Sequence, residues 1–315
     1  MSNEVEHVFV GGTGRSGTHV VARLLGRHSR YRYVEIEARF HCNPRGFPDL
    51  LAGRVTEREF LRKLRRFWWH RIKAGEPLPA VLPSLPLGRE ERGLYKVVPR
   101  ERFDAGVAAF EEAWAQDHLG ACRALFDDLL APLATEEGKP GLVEMSSDNI
   151  AQGPTLLEVF PDAKLVHTVR DGRDAGASKV AKRQKREHPR DGFEGIGWWQ
   201  QRLTRVDAAV REIPPERLHV VSLDELAHGN REGAYKGLLG FLGIDDEAAI
   251  REYFDREISA DAAHRERWRE GLDPESERAV RLRYEQALDE MESGGVHCAP
   301  ALRRAYRQER LGVGA

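Results

Sequence analysis

Short runs of apolar and β-branched residues alternate along the chain with longer stretches of helical periodicity. The strand-like runs lie at 7–10, 33–36, 141–145, 163–169 and 217–223. Apolar positions spaced three or four apart fill the intervals, at 56–73, 104–131, 171–187, 197–212, 231–242 and 275–292. Strands that alternate with helices are typical of a parallel sheet covered on both faces. The pattern therefore predicts an α/β fold.

The chain of 315 residues is long enough for one large domain or two small ones. No internal repeat or low-complexity linker divides it, so we expect a single domain over 1–315. A helical and proline-rich insertion is predicted at about 40–90, and a helical C-terminal part at about 231–315. The residues after about 292 include Gly294, Gly295 and Pro300, and we expect them to be loosely ordered.

The overall charge is almost balanced, with 49 Lys and Arg against 51 Asp and Glu and a formal net charge of -2. General binders of nucleic acids or membrane surfaces are normally basic, so the balance argues against both partners. No apolar run approaches the roughly 20 residues that cross a bilayer, and the N-terminal MSNEVEH lacks the pattern of a secretory signal. We therefore expect a cytoplasmic protein without a membrane span, and the sequence leaves its oligomeric state open.

The cysteine content excludes two further classes. Cys42, Cys122 and Cys298 are odd in number and far apart, which fits neither a disulfide scaffold nor a zinc site. No other cluster of residues has metal-ligand spacing, so no metal is expected.

A glycine-rich turn follows the first predicted strand, in the segment VFVGGTGRSGTHVV at 8–21. Glycines allow the backbone to approach an anion closely, and the N–H groups of the turn and of the following helix then point at it. The turn departs from the Walker A motif GxxxxGK[ST], because Thr18 stands where that motif has lysine after Gly17. The positive charge lies instead at Arg15, inside the turn. The segment predicts a phosphate-binding turn, and an ordinary glycine-rich turn is the alternative.

A second candidate site follows the strand at 163–169, in KLVHTVRDGRDAGASK. Arg170 stands at the carboxyl end of this strand, where parallel sheets bind their ligands. Ser178 follows about two helical turns later, so both side chains can reach one phosphate. The basic run at 179–190 is either a solvated helix face or a rim that attracts polyanions.

Together the two motifs resemble those of sulfotransferases that use 3′-phosphoadenosine-5′-phosphosulfate (PAPS). GGTGRSGTHV resembles the loop that binds the 5′-phosphosulfate in that family, and VRDGRDAGAS resembles the segment that binds the 3′-phosphate. An arginine in the loop, rather than a lysine, is similar to tyrosylprotein sulfotransferases and to bacterial relatives. The resemblance implies a P-loop-NTPase-like fold with a central parallel sheet of about five strands, flanked by helices.

The resemblance also implies a set of site residues. The residues expected to bind PAPS, or the product 3′,5′-adenosine diphosphate (PAP), are Gly14, Arg15, Ser16, Gly17, Thr18, His19, Arg170 and Ser178. Arg15 is further expected to neutralise charge on the transferred group, without a metal. Glu37, in the segment EAR, resembles the catalytic glutamate of tyrosylprotein sulfotransferases. Glu35 remains an alternative base, since alternation in a strand places both glutamates on one face, and His41 is a third candidate.

Two positions depart from the family pattern. Met145 stands where many relatives have a lysine that helps to stabilise the transferred group, and Ser146 or Ser147 are the remaining donors there. Leu223 stands where relatives have a tyrosine that contacts the nucleotide.

The expected activity is transfer of a sulfuryl group from PAPS to a hydroxyl or amine of a small-molecule acceptor. The tryptophan pairs at 67–71 and 197–202 either line the acceptor pocket or pack between helices, and packing is favoured. Two alternatives remain. A P-loop kinase that uses ATP is disfavoured by the missing lysine and by the lack of a clear Mg²⁺-binding aspartate. A non-catalytic nucleotide-binding module is favoured only by Met145 and Leu223.

Overall fold

The computed structural model describes residues 5–74, 89–181, 188–263 and 265–311. The strands in these ranges are β1 Glu6–Gly12, β2 Tyr31–Tyr33, β3 Arg71–Ala74, β4 Arg89–Arg92, β5 Gly141–Met145, β6 Lys164–Val169 and β7 Leu218–Ser222. Five of them form one sheet in the order β2-β5-β1-β6-β7, and every pairing in it is parallel. The strands β3 and β4 pair with each other, antiparallel. The predicted fold class, a P-loop-NTPase-like parallel sheet of about five strands, is confirmed.

Helices precede, follow or separate the strands. They are α1 Thr18–Leu25, α2 Phe47–Leu51, α3 Glu57–Lys63, α4 Arg100–Trp114, α5 His118–Leu130, α6 Pro132–Thr135, α7 Gly153–Val159, α8 Gly172–Ala181, α9 Gly192–Val210, α10 Leu223–Ala227, α11 Arg231–Leu242, α12 Ala248–Glu257, α13 Pro274–Ser293 and α14 Ala299–Leu311. A π-helical turn, Leu64–Trp68, extends α3, and short 3₁₀ turns lie at Leu94–Lys96, Pro215–Arg217 and Arg267–Arg269.

The central strand β1 shows why the sheet is covered on both faces. Its successive side chains point to opposite sides. Phe9 enters a core with α4, α5 and α7, whereas Val8 and Val10 enter a second core with α1, α11 and α12. A third cluster joins α8, α9, α13 and α14 beside the sheet. Burial on both faces explains why the central strands appear in the sequence as continuous apolar runs.

Several elements differ from the sequence-based expectation. The helix predicted at 56–73 ends at Trp68, and Arg71–Ala74 forms strand β3 instead. The strand predicted at 33–36 lies earlier, at Tyr31–Tyr33. The helix predicted at 104–131 is two helices, because Asp117 caps α5 by accepting a hydrogen bond from the Gly120 N–H. The expectation of a loosely ordered tail is wrong for Ala299–Leu311, which forms α14. The prolines at 77–88 and the basic residues at 182–187 lie outside the described residues.

Candidate functional site

The glycine-rich turn connects the end of β1 to the start of α1. Gly14 and Gly17 have φ angles of 75° and 90°, which favour glycine, and Arg15 adopts the same left-handed region with φ 64°. At Gly12 a Cβ atom would lie 2.4 Å from both Ser16 Oγ and the Thr168 carbonyl oxygen. A side chain at Gly12 would therefore push the turn away from β6.

Ser16 and Thr168 attach the turn to the sheet. The two hydroxyl oxygens are 3.0 Å apart and buried, and Thr168 donates to the carbonyl oxygen of Gly11 at 3.0 Å. The hydroxyl of Ser16 is thus used by the fold, and the residue is fully buried. Among the described residues, no side chain caps α1 at Gly17, so the first N–H groups of this helix suit an anionic ligand.

The strand-end residues meet the turn. Arg15 Nε donates a hydrogen bond of 2.8 Å to Ser178 Oγ on α8. Arg170 precedes α8, is 7% exposed, and donates to the Ala263 carbonyl oxygen at 2.7 Å. Burial and then the charge of Arg170 lower the pKa of Arg15. The structure therefore brings two guanidinium groups and a hydroxyl group together, and such an arrangement suits a multiply charged anion.

The segment after α12 covers this site from the other side. Asp174 on α8 accepts hydrogen bonds from the backbone N–H groups of Glu266, at 2.9 Å, and Trp268, at 3.3 Å. Burial, followed by the charge of Asp171, raises the pKa of Asp174 to about 6. Together with the hydrogen bond from Arg170 to the Ala263 carbonyl oxygen, these contacts hold the segment after α12 against the start of α8. The sequence offered only a weak signal for this contact, a cluster of arginines at 265–269.

A cleft of about 460 Å³ opens beside the turn, and His19, Glu35 and Glu37 are among its lining residues. The ring nitrogen Nδ1 of His19 lies 3.4 Å from the Tyr33 hydroxyl. Burial, followed by the charges of nearby arginines, lowers the pKa of His19 to about 4. His19 is therefore uncharged at neutral pH and lies between the turn and the cleft.

Glu37 and Glu35 differ in their surroundings. Both follow β2 rather than lying within it, so the strand alternation expected to place them on one face does not apply. The side chain of Glu37 is 15% exposed, forms an ion pair with Arg39 and lies 3.9 Å from Arg71. The side chain of Glu35 is 59% exposed and pairs with Arg32. Of the two glutamates that line the cleft, Glu37 is thus the less exposed to solvent.

His41 does not line the cleft. It is fully buried, and its Nε2 atom lies 2.9 Å from Asn149 Oδ1 and 3.0 Å from a carboxylate oxygen of Glu144. The prediction that His41 is a candidate base is therefore wrong, because the residue is buried and does not line the cleft. Its role is to bind a buried carboxylate at the end of β5.

Glu144 is the centre of a polar network that the sequence did not reveal. Its carboxylate accepts hydrogen bonds from Ser146 Oγ at 2.7 Å, Asn149 Nδ2 at 2.8 Å and the Ala38 N–H at 3.0 Å. Burial acts to raise the pKa of Glu144, but His41 and these hydrogen bonds hold it below its usual value. The bond to Ala38 fixes the chain immediately after Glu37.

The two positions that depart from the family pattern are both buried. Met145 is 0% exposed and packs in the core with α1, so it adds no charge to the site. Leu223 is 3% exposed, and its side chain lies 2.8 Å from the place where a Cβ atom at Gly17 would be. Leu223 therefore packs against the glycine-rich turn at Gly17.

The tryptophan pairs pack rather than line the cleft. Trp68 and Trp199 are buried in two of the core clusters. Trp69 packs against Phe103 with ring centroids 4.3 Å apart, and the Lys179 ammonium lies 5.2 Å from the Trp198 ring.

Within the described ranges, no group of three or more His, Cys, Asp or Glu side chains is arranged to hold a metal ion. In that same part of the chain, no helix has the length and apolar character needed to cross a bilayer.

The fold and the turn define a P-loop-like α/β protein whose glycine-rich turn carries Arg15 within it and Thr18, not lysine, after Gly17. The sulfotransferase family model matches residues 7–248, and the chain belongs to this family. The predicted family is thereby confirmed. Comparison with curated proteins gave no match.

Solved structures of sulfotransferases have a similar fold. The sulfotransferase domain of the Synechococcus PCC 7002 olefin synthase is 16% identical, with a TM-score of 0.50 over 90% of this chain and 92% of that one. A sulfotransferase of Mycobacterium tuberculosis H37Rv is 16% identical, with a TM-score of 0.45 over 89% and 76%. A mouse sulfotransferase complexed with PAP is 11% identical, with a TM-score of 0.47 over 95% and 88%.

Proposed function

We propose that the protein transfers a sulfuryl group from PAPS to a hydroxyl or amine of a small-molecule acceptor, in the cytoplasm. The observation that carries the proposal is the meeting of Arg15 with Ser178, next to Arg170 and beside a cleft that contains Glu37. This arrangement supports the proposal because it brings the two motifs proposed to bind phosphate close to a candidate base.

The residues at this edge fit a ligand with two separate phosphate groups. The turn offers backbone N–H groups and Arg15 to one of them, and Arg170 and Ser178 are suited to the other. The lowered pKa of Arg15, from burial and from Arg170, indicates that the two guanidinium groups repel each other. An anion between them would remove that repulsion. When bound, PAPS would supply an activated sulfuryl group, and transfer of that group needs no metal.

Glu37 is the proposed base, and its surroundings support this role. It lines the cleft with little exposure and with Arg39 and Arg71 beside it. As the acceptor oxygen or nitrogen forms its bond to sulfur, its proton passes to Glu37. The bond from sulfur to the 5′-phosphate oxygen breaks, and its electron pair stays on PAP. A positioned base contributes about 10²–10⁴-fold to such a reaction.

Arg15 is the proposed stabiliser of the leaving phosphate oxygen. Fixed cations aimed at developing charge typically contribute about 3 kcal/mol each. Because Met145 stands where many relatives have a lysine, Arg15 is proposed to supply more of the positive charge that stabilises the transferred group. His19, which is neutral, can donate or accept a hydrogen bond next to the transferred group without adding charge.

The test is a pair of titrations followed by melting temperature, one with PAP and one with ATP and Mg²⁺. A ligand at 100 times its Kd adds about 2.7 kcal/mol of stability. We expect PAP to stabilise the protein and ATP–Mg²⁺ to leave it unchanged. Stabilisation by ATP–Mg²⁺ alone would make the protein a kinase, and no response to either would favour a protein that does not bind these nucleotides.

A further inference from the structure

The proposed base, Glu37, lies in a short stretch of chain that strand β5 holds at both ends. The N–H of Val34 donates to the Val143 carbonyl oxygen at 2.9 Å, just beyond the end of β2. The N–H of Ala38 donates to the Glu144 carboxylate at 3.0 Å. The two acceptors are consecutive residues of β5. The three residues between Val34 and Ala38 therefore form a loop whose second end is held by a side chain and not by the sheet.

A tight turn follows Ala38, and Glu144 binds the chain on both sides of it. Arg39 adopts the left-handed backbone region with φ 67°, which costs free energy for a residue other than glycine. The Phe40 N–H donates to the Ala38 carbonyl oxygen at 2.8 Å. The Nε2 atom of His41 lies 3.0 Å from a carboxylate oxygen of Glu144. The carboxylate thus contacts the chain before and after Arg39 and stabilises this strained conformation.

The same carboxylate is connected to the glycine-rich turn. The amide nitrogen Nδ2 of Asn149 donates to Glu144 at 2.8 Å and to the Val10 carbonyl oxygen at 3.1 Å, and this group has a hydrogen for each bond. The Gly12 N–H donates to the Ser147 carbonyl oxygen at 3.1 Å. The loop after β5 therefore holds the end of β1, where the turn begins, and Glu144 links that loop to the segment of the proposed base.

Burial strengthens these contacts. Glu144 is 1% exposed, and His41 and Asn149 are 0% exposed, so water does not compete for the hydrogen bonds. Burial acts to raise the pKa of Glu144, but the charge and hydrogen bond of His41, followed by the bonds from Asn149 and Ser146, hold it below its usual value. The carboxylate is therefore ionised at neutral pH and forms the strong hydrogen bonds of a charged acceptor.

We propose that Glu144 is a positioning residue for sulfuryl transfer, whose buried carboxylate fixes the distance between Glu37 and the glycine-rich turn proposed to bind PAPS. This inference rests on the proposed function. Misplacement of a reacting group by about 1 Å lowers a rate about 100-fold. A carboxylate that touches no substrate therefore determines kcat through the place of the base. The same role accounts for a charged residue in the otherwise apolar strand β5.

The experiment measures the effect of Glu144 on chain opening, on PAP binding and on turnover. Glu144→Gln keeps the shape of the side chain and removes its charge. His41→Leu removes one donor to the carboxylate, and His41→Gln keeps an N–H donor there. Ile213→Ala is the control for lost stability, because Ile213 is buried and precedes β7, at the opposite edge of the sheet from the glycine-rich turn. Arg278→Gln, at an exposed position of α13, is the control for a surface change.

Hydrogen–deuterium exchange followed by mass spectrometry reports on the segment directly and needs no acceptor. In Glu144→Gln we expect peptides that cover 34–43 to exchange at least about tenfold faster than in the wild type, because the Ala38 N–H loses its charged acceptor. In Ile213→Ala and Arg278→Gln the same peptides should exchange as in the wild type.

Turnover is measured with labelled PAPS and an acceptor identified by screening, and kcat is expressed per PAP-binding site. It should fall about 100-fold in Glu144→Gln and in His41→Leu, whereas His41→Gln should retain more of it. The Kd for PAP should change less than about threefold, because Ser16 and Thr168 still attach the turn to the sheet. Ile213→Ala should keep the kcat of the wild type, since lost stability lowers the number of binding sites and not the rate at each site.

Three results would overturn the inference and leave the proposed function intact. They are unchanged exchange of 34–43 in Glu144→Gln, unchanged kcat per PAP-binding site in that variant, and an equal loss of kcat in Ile213→Ala. If Glu144→Gln does not fold, a kcat of His41→Leu equal to that of the wild type overturns the inference in its place. A wild type that neither binds PAP nor turns over PAPS would overturn the proposed function, and the inference with it.

Discussion

Arg15 Nε lies 2.8 Å from Ser178 Oγ, although 163 positions separate the two residues in the chain. The hydrogen bond joins the turn after β1 to the helix after β6, and these two strands are neighbours in the sheet. Arg170 precedes the same helix, and after burial its charge is the next cause that lowers the pKa of Arg15. A ligand with two phosphate groups can therefore contact both motifs at once, and we expect it to replace the bond between Arg15 and Ser178.

Replacing Arg15 by Ala should lower kcat/KM about 100-fold to 1000-fold, which corresponds to about 3 kcal/mol of lost transition-state stabilisation. Arg15→Lys keeps the charge and should retain more activity than Arg15→Ala. Initial rates with PAPS and an acceptor identified by screening measure the effect. Turnover that is unchanged in Arg15→Ala would remove this residue from the mechanism.

Replacing Glu37 by Gln should abolish turnover, because the amide cannot take up the proton of the acceptor. The increase in melting temperature caused by PAP should be the same as in the wild type, since Glu37 lies in the cleft and not in the glycine-rich turn proposed to bind PAP. Glu35→Gln is the matched control and should stay active. An active Glu37→Gln variant would move the base to Glu35 or to His19.

Replacing Glu144 by Gln should destabilise the protein by about 3 kcal/mol, because buried donors lose their charged acceptor. Four donors share this carboxylate, among them Ser146 and Asn149. Urea unfolding measures the change, with the exposed Glu158→Gln as control. Equal stability of the two variants would show that the network around Glu144 does not hold the segment after Glu37 in place.

Asp174 makes stability depend on pH in a specific direction. Its pKa is raised from 3.8 to about 6 in the folded protein, so the folded state binds its proton more tightly than the unfolded state does. The contribution of this group to stability is therefore largest below about pH 4 and is lost as the pH rises through about 6. At about 1.4 kcal/mol per pKa unit, the loss is up to about 3 kcal/mol.

The measurement is urea unfolding of the wild type and of Asp174→Asn at pH 4 and pH 7. Asn cannot titrate and resembles the protonated carboxyl group that the wild type carries at pH 4, so the two proteins should have similar stability at that pH. Between pH 4 and pH 7 the variant should gain stability relative to the wild type. If the free energies of unfolding of the variant and the wild type differ by the same amount at both pH values, Asp174 does not have a raised pKa in the folded protein.

The sequence predicts the bounds of a helix or strand well where the apolar pattern fits only one kind of element. The strand expected at 141–145 and the helix expected at 231–242 have these bounds in the structure. Each is an apolar pattern closed by strong boundary residues, such as Asn230 before α11 and Gly243 after it, which cap that helix. The two motifs that the sequence singled out are also local patterns: the glycine-rich turn lies between β1 and α1, and the second motif runs from the end of β6 into α8, as the sequence predicted.

Other features depend on contacts that the sequence pattern does not contain. Pro300 suggested the end of ordered structure, but proline is well tolerated in the first turn of a helix, and α14 buries Leu302 and Tyr306 against its neighbours. Glu144 stands in an apolar strand, and only the folded chain brings His41 and Asn149 to it. The same holds for the cleft, whose charged residues come from separate elements.

The most direct test of the central claim is a comparison of PAP with 5′-AMP, which lacks the 3′-phosphate, by isothermal titration calorimetry. The wild type should bind PAP at least 100-fold more tightly than 5′-AMP, because Arg170 and Ser178 are proposed to bind the 3′-phosphate. Arg170→Ala and Ser178→Ala should each reduce this preference, while Arg278→Ala should preserve it. Equal affinity of the wild type for the two nucleotides would contradict the assignment of the protein as a PAPS-dependent sulfotransferase.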